Sequence, residues 1–208
     1  ARQTPGCAML TIGEPDFDTP EAIREAAVSA IRAGSTHYAP NQGTLSLRTA
    51  IADFETKRGN PTNPEQVLIT IGACHALFTA LLGILNPGEE IIVPTPGFML
   101  YETIATIAGA KAVPLDISKT GFQIDEDALK SAITEKTKAI IINSPNNPSG
   151  VVYTEQTLQT LGALLQKKST EYGHPIYIVS DEPYRELAYG VEVPFIPTIY
   201  PNTVVCYS

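Results

Sequence analysis

The 208-residue sequence is poor in cysteine, in basic side chains and in long apolar runs, and each shortage removes a class of protein. Its three cysteines, Cys7, Cys74 and Cys206, form no Cys-x-x-Cys pair and lie too far apart for a zinc site or a small disulfide scaffold. A reducing, cytoplasmic setting is therefore expected. Fourteen Lys and Arg stand against 22 Asp and Glu, giving a net charge of −8. No stretch gathers bases into the stripe that a phosphate backbone needs, so a nucleic-acid partner is not expected. The most apolar window, Ala76 to Leu85, contains Thr79 and Gly83 and is closed by Asn86-Pro87-Gly88, so it is too short to span a bilayer and no membrane partner is expected. The N-terminus lacks the basic, apolar and small-residue succession of a signal peptide. The sequence opens at Ala1 without a methionine and ends on an apolar run, Val204 to Ser208, that nothing terminates, so a fragment of a longer chain is expected.

What is present is the composition of a globular protein with apolar strands: 43% hydrophobic and 17% charged residues, with 15 Gly and 17 Pro spread along the chain. Thr19-Pro20-Glu21 offers an N-cap, a first-turn proline and an early acid ahead of Ile23, Ala26, Ala27, Ala30 and Ile31, with Gly34 as the stop. A second helix is expected from about Thr44 to Arg58, closed by Gly59. Strands and helices then alternate. Strands are expected at 67–71, 91–93, 112–115, 139–142, 176–179 and 203–207, and helices at 74–85, 98–108, 125–133 and 154–167. Several strands are apolar at every position, as in sheets covered on both faces, so the expected fold is a three-layer α/β domain with a mostly parallel sheet.

Ligands of such sheets bind beyond the carboxyl ends of the strands. Three of those junctions are unusual here. After residue 71 comes Gly72-Ala73-Cys74-His75, small residues entering a helix. They suit close packing of helix on strand, and they also suit a phosphate on the first free N–H groups of the helix. After residue 142 comes Asn143-Ser144-Pro145-Asn146-Asn147-Pro148-Ser149-Gly150, where Asn147 would offer an amide donor to the cleft. After residue 179 comes Ser180-Asp181-Glu182-Pro183-Tyr184, with an acid at the strand end and a phenol three residues on. Asp181 there serves either as a helix N-cap or as a buried carboxylate that needs a cationic partner. Together, a phosphate cradle, an amide, an acid and a phenol match the needs of pyridoxal phosphate: an anchor for its phosphate, donors to its ring hydroxyl and an anion for its pyridine nitrogen.

With these blocks stand Ile12-Gly13-Glu14-Pro15-Asp16-Phe17-Asp18-Thr19-Pro20, His37-Tyr38-Ala39-Pro40-Asn41-Gln42-Gly43 leading to Leu47-Arg48, and Asn86-Pro87-Gly88-Glu89-Glu90. In that order they resemble the fold-type I pyridoxal-phosphate enzymes, in particular the class I aminotransferases of the aspartate and aromatic amino acid group, over nearly the whole chain. The resemblance implies a homodimer with shared active sites, acting on an amino acid and a 2-oxo acid. It divides the chain into an N-terminal segment with the first helix, 1–35, and an incomplete large cofactor domain, 36–208, whose C-terminal small domain is absent.

Carried over residue by residue, it implies that Asp181 meets the pyridine nitrogen while Asn147 and Tyr184 hydrogen-bond the ring hydroxyl. Ala73 and Cys74 would give backbone N–H groups to the phosphate, Ser208 would join that site, and Tyr38 would reach the phosphate of the neighbouring subunit. Phe98 would stack on the ring, and Gly13 with Asn147 would hold the substrate carboxylate. Gly97 stands where an aromatic residue is frequent, which would open the pocket slightly, and Cys74 where other side chains are usual. The family's Schiff-base lysine would lie beyond Ser208. A C–S β-lyase or a cyclopropane-forming synthase would use the same cofactor shell, and an aminotransferase-like sensor domain of a transcription regulator is a reading from another class. His37, His75 and His174 are expected at the surface or as caps, and Arg48 as a structural helix residue.

Overall fold

A computed structural model describes residues 6–8, 13 and 15–208; Ile12 and Glu14 of the first block, like the start of the chain, lie outside the described residues. The chain forms two compact units, Ala1–Asn41 and Gln42–Ser208.

In the first unit α1 runs over Glu21–Arg32. Pro20 rather than Thr19 stands at the N-cap, without a side-chain cap bond. A proline there costs nothing, because the first amides of a helix have no intrahelical acceptor. The helix closes where Gly34 N–H donates to Ile31 O and Ser35 N–H to Ala30 O.

The second unit begins with α2, Leu45–Lys57, and continues with α3, Gly72–Ile84. Then strand and helix alternate: β1 Glu90–Thr95, α4 Leu100–Ile107, β2 Lys111–Asp116, α5 Glu126–Ala132, β3 Thr137–Asn143, α6 Glu155–Tyr172, β4 Tyr177–Asp181, α7 Ile196–Ile199 and β5 Thr203–Cys206. All four strand pairings are parallel and the order is β2-β1-β3-β4-β5. The chain therefore leaves β1 to one side for β2 and returns to its other side for β3. That reversal makes β1 and β3 the switch point, where the loops at the strand ends diverge and open a crevice.

Alternate side chains of each strand point to opposite faces, and both faces are covered. Ile92, Ile140, Ile142 and Ile178 pack with Leu129 of α5 and Leu158, Leu161 and Leu165 of α6. Ile91, Val93, Ala139, Ile141 and Val179 pack with Leu77 and Leu81 of α3 and Ile104 and Ala105 of α4. This is why β1 and β3 read as unbroken apolar runs: neither face meets water.

Three expectations are corrected. Residues 67–71 form no strand; Ile69 N–H donates to Gln42 O at 3.0 Å rather than to a ladder. A groove of about 670 Å³ is lined by Val67, Leu68 and Thr70 together with Val204 and Val205 of β5, and no strand among the described residues pairs with residues 67–71. The helix expected to end at residue 167 runs on to Tyr172, because Ser169 is still packed inward, and it stops only at Gly173, whose φ of 73° is the left-handed conformation glycine adopts freely. The strand expected to reach residue 207 ends at Cys206.

At the amino ends of the strands, away from the crevice, Glu90 is buried. Its carboxylate accepts from Thr134 Oγ1 at 2.6 Å and from Lys111 Nζ at 3.3 Å. The Thr134 hydrogen bond, ahead of the lysine charge, holds its pKa below the ordinary carboxylate value. A depressed folded-state pKa stabilises the fold above the unfolded value of about 4.3 and loses that contribution as pH falls through the folded value. Glu90→Gln should then cost about 1 kcal/mol at pH 7, and the gap between variant and wild type in urea unfolding should narrow at pH 4. A gap independent of pH would contradict the ionised role of Glu90.

Candidate functional site

The crevice is floored by the ends of β3 and β4. Asn143 and Asp181 are register partners on neighbouring strands. Asn143 Nδ2 donates to the Asp181 main-chain oxygen at 2.9 Å, and its own Oδ1 accepts from Asn147 N–H at 2.6 Å. One asparagine thus joins the acid strand to the Asn-Pro turn. Within that turn Asn146 Oδ1 accepts from the N–H and the hydroxyl of Ser149, and Gly150 N–H donates to Asn146 O. Side chains replace the missing ladder, so the turn is held by its own hydrogen bonds.

A cavity of about 170 Å³ lies above this floor, lined by Ala73, Cys74, Phe98, Asn147, Asp181 and Tyr184, together with Leu77, Tyr101, Asn143 and Pro183. Six residues singled out in the sequence are thereby brought to one place. Asn147 Nδ2 and Tyr184 Oη lie 3.3 Å apart and present a shared polar edge. Phe98 and Tyr101 form an edge-to-face pair, centroids 5.8 Å apart. Ala73 and Cys74 occupy the first turn of α3, entered through Gly72 at a φ of 74°. Their amides lie where helix N–H groups have no intrahelical acceptor and attract anions. His75 Nδ1 accepts from Ile71 N–H at 3.1 Å, fixing the turn from the other side.

Asp181 is buried, and burial raises its pKa; the hydrogen bond from Tyr101 Oη, 2.6 Å from Oδ2, opposes that rise. Burial chiefly, and then the charge of Asp181, push the Tyr101 phenol far up, so it remains a donor. The other carboxylate oxygen, Oδ1, is buried without a hydrogen-bond partner among the described residues. A buried acceptor with no donor is costly. A ligand with a cationic N–H for Oδ1 and an anionic group for the first turn of α3 would satisfy both ends of the cavity. Pyridoxal phosphate has both groups, so the residues present fit it.

Asn143 stands in the Asn-Pro junction without a role read for it, and Tyr101 does not stand out in the sequence. Tyr101 reads as one more apolar position of α4, and only its place three residues after Phe98 marks it. Tyr38 and Gly13 belong to the Ala1–Asn41 unit, where both are exposed. Ser208 is exposed, two residues past β5. Gly97 is explained by the backbone: a Cβ there would lie 2.6 Å from Pro94 O, so the missing side chain answers a close main-chain approach. Arg48 is buried in α2, donating to Pro64 O at 2.7 Å, and His174 Nε2 lies 2.9 Å from Glu135 O. No helix of the described residues is long and apolar enough to cross a membrane.

Comparison with known proteins bears on the whole chain. The sequence profile of the family "Aminotransferase class I and II" matches residues 5–208. The aspartate/prephenate aminotransferase of Thermus thermophilus is 41% identical over 193 residues, 92% of this chain and 49% of that protein. The aspartate aminotransferase of Bacillus subtilis is 43% identical over 87% of this chain and 45% of that protein. A solved amino transferase from Eubacterium rectale superposes with a TM-score of 0.89 at 39% identity, covering 95% of this chain and 51% of that one. The chain thus spans about half the length of the curated relatives it matches.

Proposed function

Because the chain belongs to the class I and II aminotransferase family, we propose that the whole protein is a pyridoxal-phosphate-dependent aminotransferase moving an amino group between an amino acid and a 2-oxo acid. The observation that carries this reading is the buried Oδ1 of Asp181, without a hydrogen-bond partner among the described residues, in a cavity shared with Asn147, Tyr184, Ala73 and Cys74. The relatives named above are all aminotransferases, and neither a lyase nor a regulator stands among them.

Bound in this cavity, pyridoxal phosphate would supply a carbonyl to take up the amino group and a ring that withdraws electrons as the α proton leaves. The protein residues hold and tune it. Asp181 Oδ1 accepts the ring N–H and keeps that nitrogen protonated, while Tyr101 fixes the other oxygen. Asn147 and Tyr184 donate to the ring hydroxyl and Phe98 covers a ring face. The Ala73 and Cys74 amides receive the phosphate, with Ser208 joining them and Tyr38 arriving from a second subunit of a homodimer. Gly13 and Asn147 hold the substrate carboxylate. The Schiff-base lysine and the small domain belong to sequence beyond Ser208, residues 36–208 form the large cofactor domain after an N-terminal segment at 1–35, and the protein works in the cytoplasm.

Alkylation tests the placement of the phosphate. Cys74 is exposed on the first turn of α3, whereas Cys206 is buried and its thiol is pushed up to about 12 by burial first and then by Asp181 and Glu182. With iodoacetamide and peptide mapping of the full-length apoprotein, Cys74 should label readily and Cys206 barely. Added pyridoxal phosphate should slow Cys74 about tenfold or more by covering it, while exposed Cys7 serves as the internal reference. Unchanged Cys74 labelling in protein shown to hold the cofactor would remove this residue from the phosphate site.

A further inference from the structure

Behind the acid loop lies a buried cluster that the proposed chemistry does not use. Arg185 is 7% exposed. It donates through Nη1 to Glu182 Oε2 at 3.2 Å and through Nη2 to Glu55 Oε1 of α2. The remaining oxygens are also satisfied: Ser180 Oγ donates to Glu182 Oε1 at 2.6 Å, and Asn60 Nδ2 to Glu55 Oε2 at 2.8 Å. The guanidinium lies 4.4 Å from the centroid of the Tyr207 ring and 6.0 Å from that of Phe195, and Glu186 flanks its Nε at 3.8 Å. Glu182 N–H donates to Cys206 O at 2.9 Å.

Burying two acidic side chains on one arginine is costly, and burial raises the Glu182 pKa; apolar residues would fill such a volume at less cost. What the ions provide is direction. Each of the four carboxylate oxygens has its own donor, so the geometry of the cluster is specified. Asp181 immediately precedes Glu182 and Tyr184 immediately precedes Arg185, so each of these two clamped residues is the chain neighbour of one cavity side chain.

We propose that Arg185 is a positioning residue: by gripping Glu182, Glu55 and the Tyr207 ring together, it sets the Asp181 carboxylate and the Tyr184 hydroxyl against α2 and the end of β5. The assignment rests on the aminotransferase reading, since it is the cofactor whose binding the clamp adjusts.

The test uses the full-length protein with Arg185→Met, which keeps the stem and removes the fork, and Arg185→Lys, which keeps the charge without the two-armed geometry. Apoprotein melting temperature, pyridoxal phosphate affinity on reconstitution, and the visible circular dichroism of the bound cofactor are measured at a temperature where every apoprotein is folded. Both variants should bind the cofactor about tenfold more weakly or worse, with a diminished dichroic band, because small displacements of positioning groups are costly. Affinity and band within twofold of wild type in both, whatever the melting temperature, would reduce the cluster to a structural role and overturn the proposal. If neither variant folds, Glu55→Gln, which weakens one arm while leaving the Glu182 pair, decides by the same two readouts. Wild-type protein that binds no pyridoxal phosphate would instead bring down the aminotransferase reading on which the proposal stands.

Discussion

In the full-length enzyme, Asp181→Asn should leave folding nearly intact and lower transamination by about 10³-fold, roughly 4 kcal/mol of barrier. The fold is spared because the site already disfavours a charged carboxylate: burial raises the Asp181 pKa, and an amide can still accept from Tyr101 at the same position. Catalysis is not spared, because a neutral amide cannot hold a ring nitrogen in its cationic form. Steady-state rates with the best amino donor from a screen, beside urea unfolding of both proteins, measure the two effects separately. A rate within tenfold of wild type, a difference of about 1.4 kcal/mol, would show that Oδ1 does not meet the ring nitrogen.

The second large effect concerns assembly. If Tyr38 serves the site of a neighbouring subunit, each active site of a homodimer draws on both chains. Mixing a Tyr38→Phe subunit with one whose Schiff-base lysine is disabled should then give heterodimers with one site free of both lesions. Two nearly inactive parents should produce, after mixing, roughly a quarter of wild-type activity for statistical pairing. No recovery in heterodimers purified by two distinct tags would assign Tyr38 to its own subunit or to neither site.

The parts of this architecture that read most directly from the sequence are those enforced locally. Asp125 caps α5 by accepting from Ala128 N–H at 2.9 Å, as an aspartate before a helical run should. Strands β1 and β3 are legible because burial on both faces demands apolar residues at every position. Residues 67–71 misled for the same reason: their β-branched run satisfies the pattern, but pairing depends on a neighbour that periodicity cannot reveal. The acid, the amide and the phenol of the site were legible because each stands at a strand-end junction of unusual composition. Tyr101, 80 residues from the Asp181 it contacts, and Arg185, 130 residues from Glu55, were not. A single sequence carries no sign of a partner at that separation, and a tyrosine inside an apolar helix or an arginine after a turn looks ordinary on its own.

The register pairing of Asn143 with Asp181 continues one strand further, to Cys206. The three residues form one rung across β3, β4 and β5, with side chains on the same face and a pitch fixed by the main-chain ladder at about 4.8 Å. The floor of the cavity is therefore gauged by peptide geometry rather than by the shapes of core side chains. Such a gauge survives drift: Ile, Leu and Val can be exchanged beneath it as long as no residue is inserted into or deleted from a strand, whereas a slip of one position would turn Asp181 to the opposite face of the sheet. Close superposition on a protein that keeps only 39% of the aligned residues, with a TM-score of 0.89, is the outcome such a construction allows. Divergence in this fold is cheap in the core and expensive in strand length.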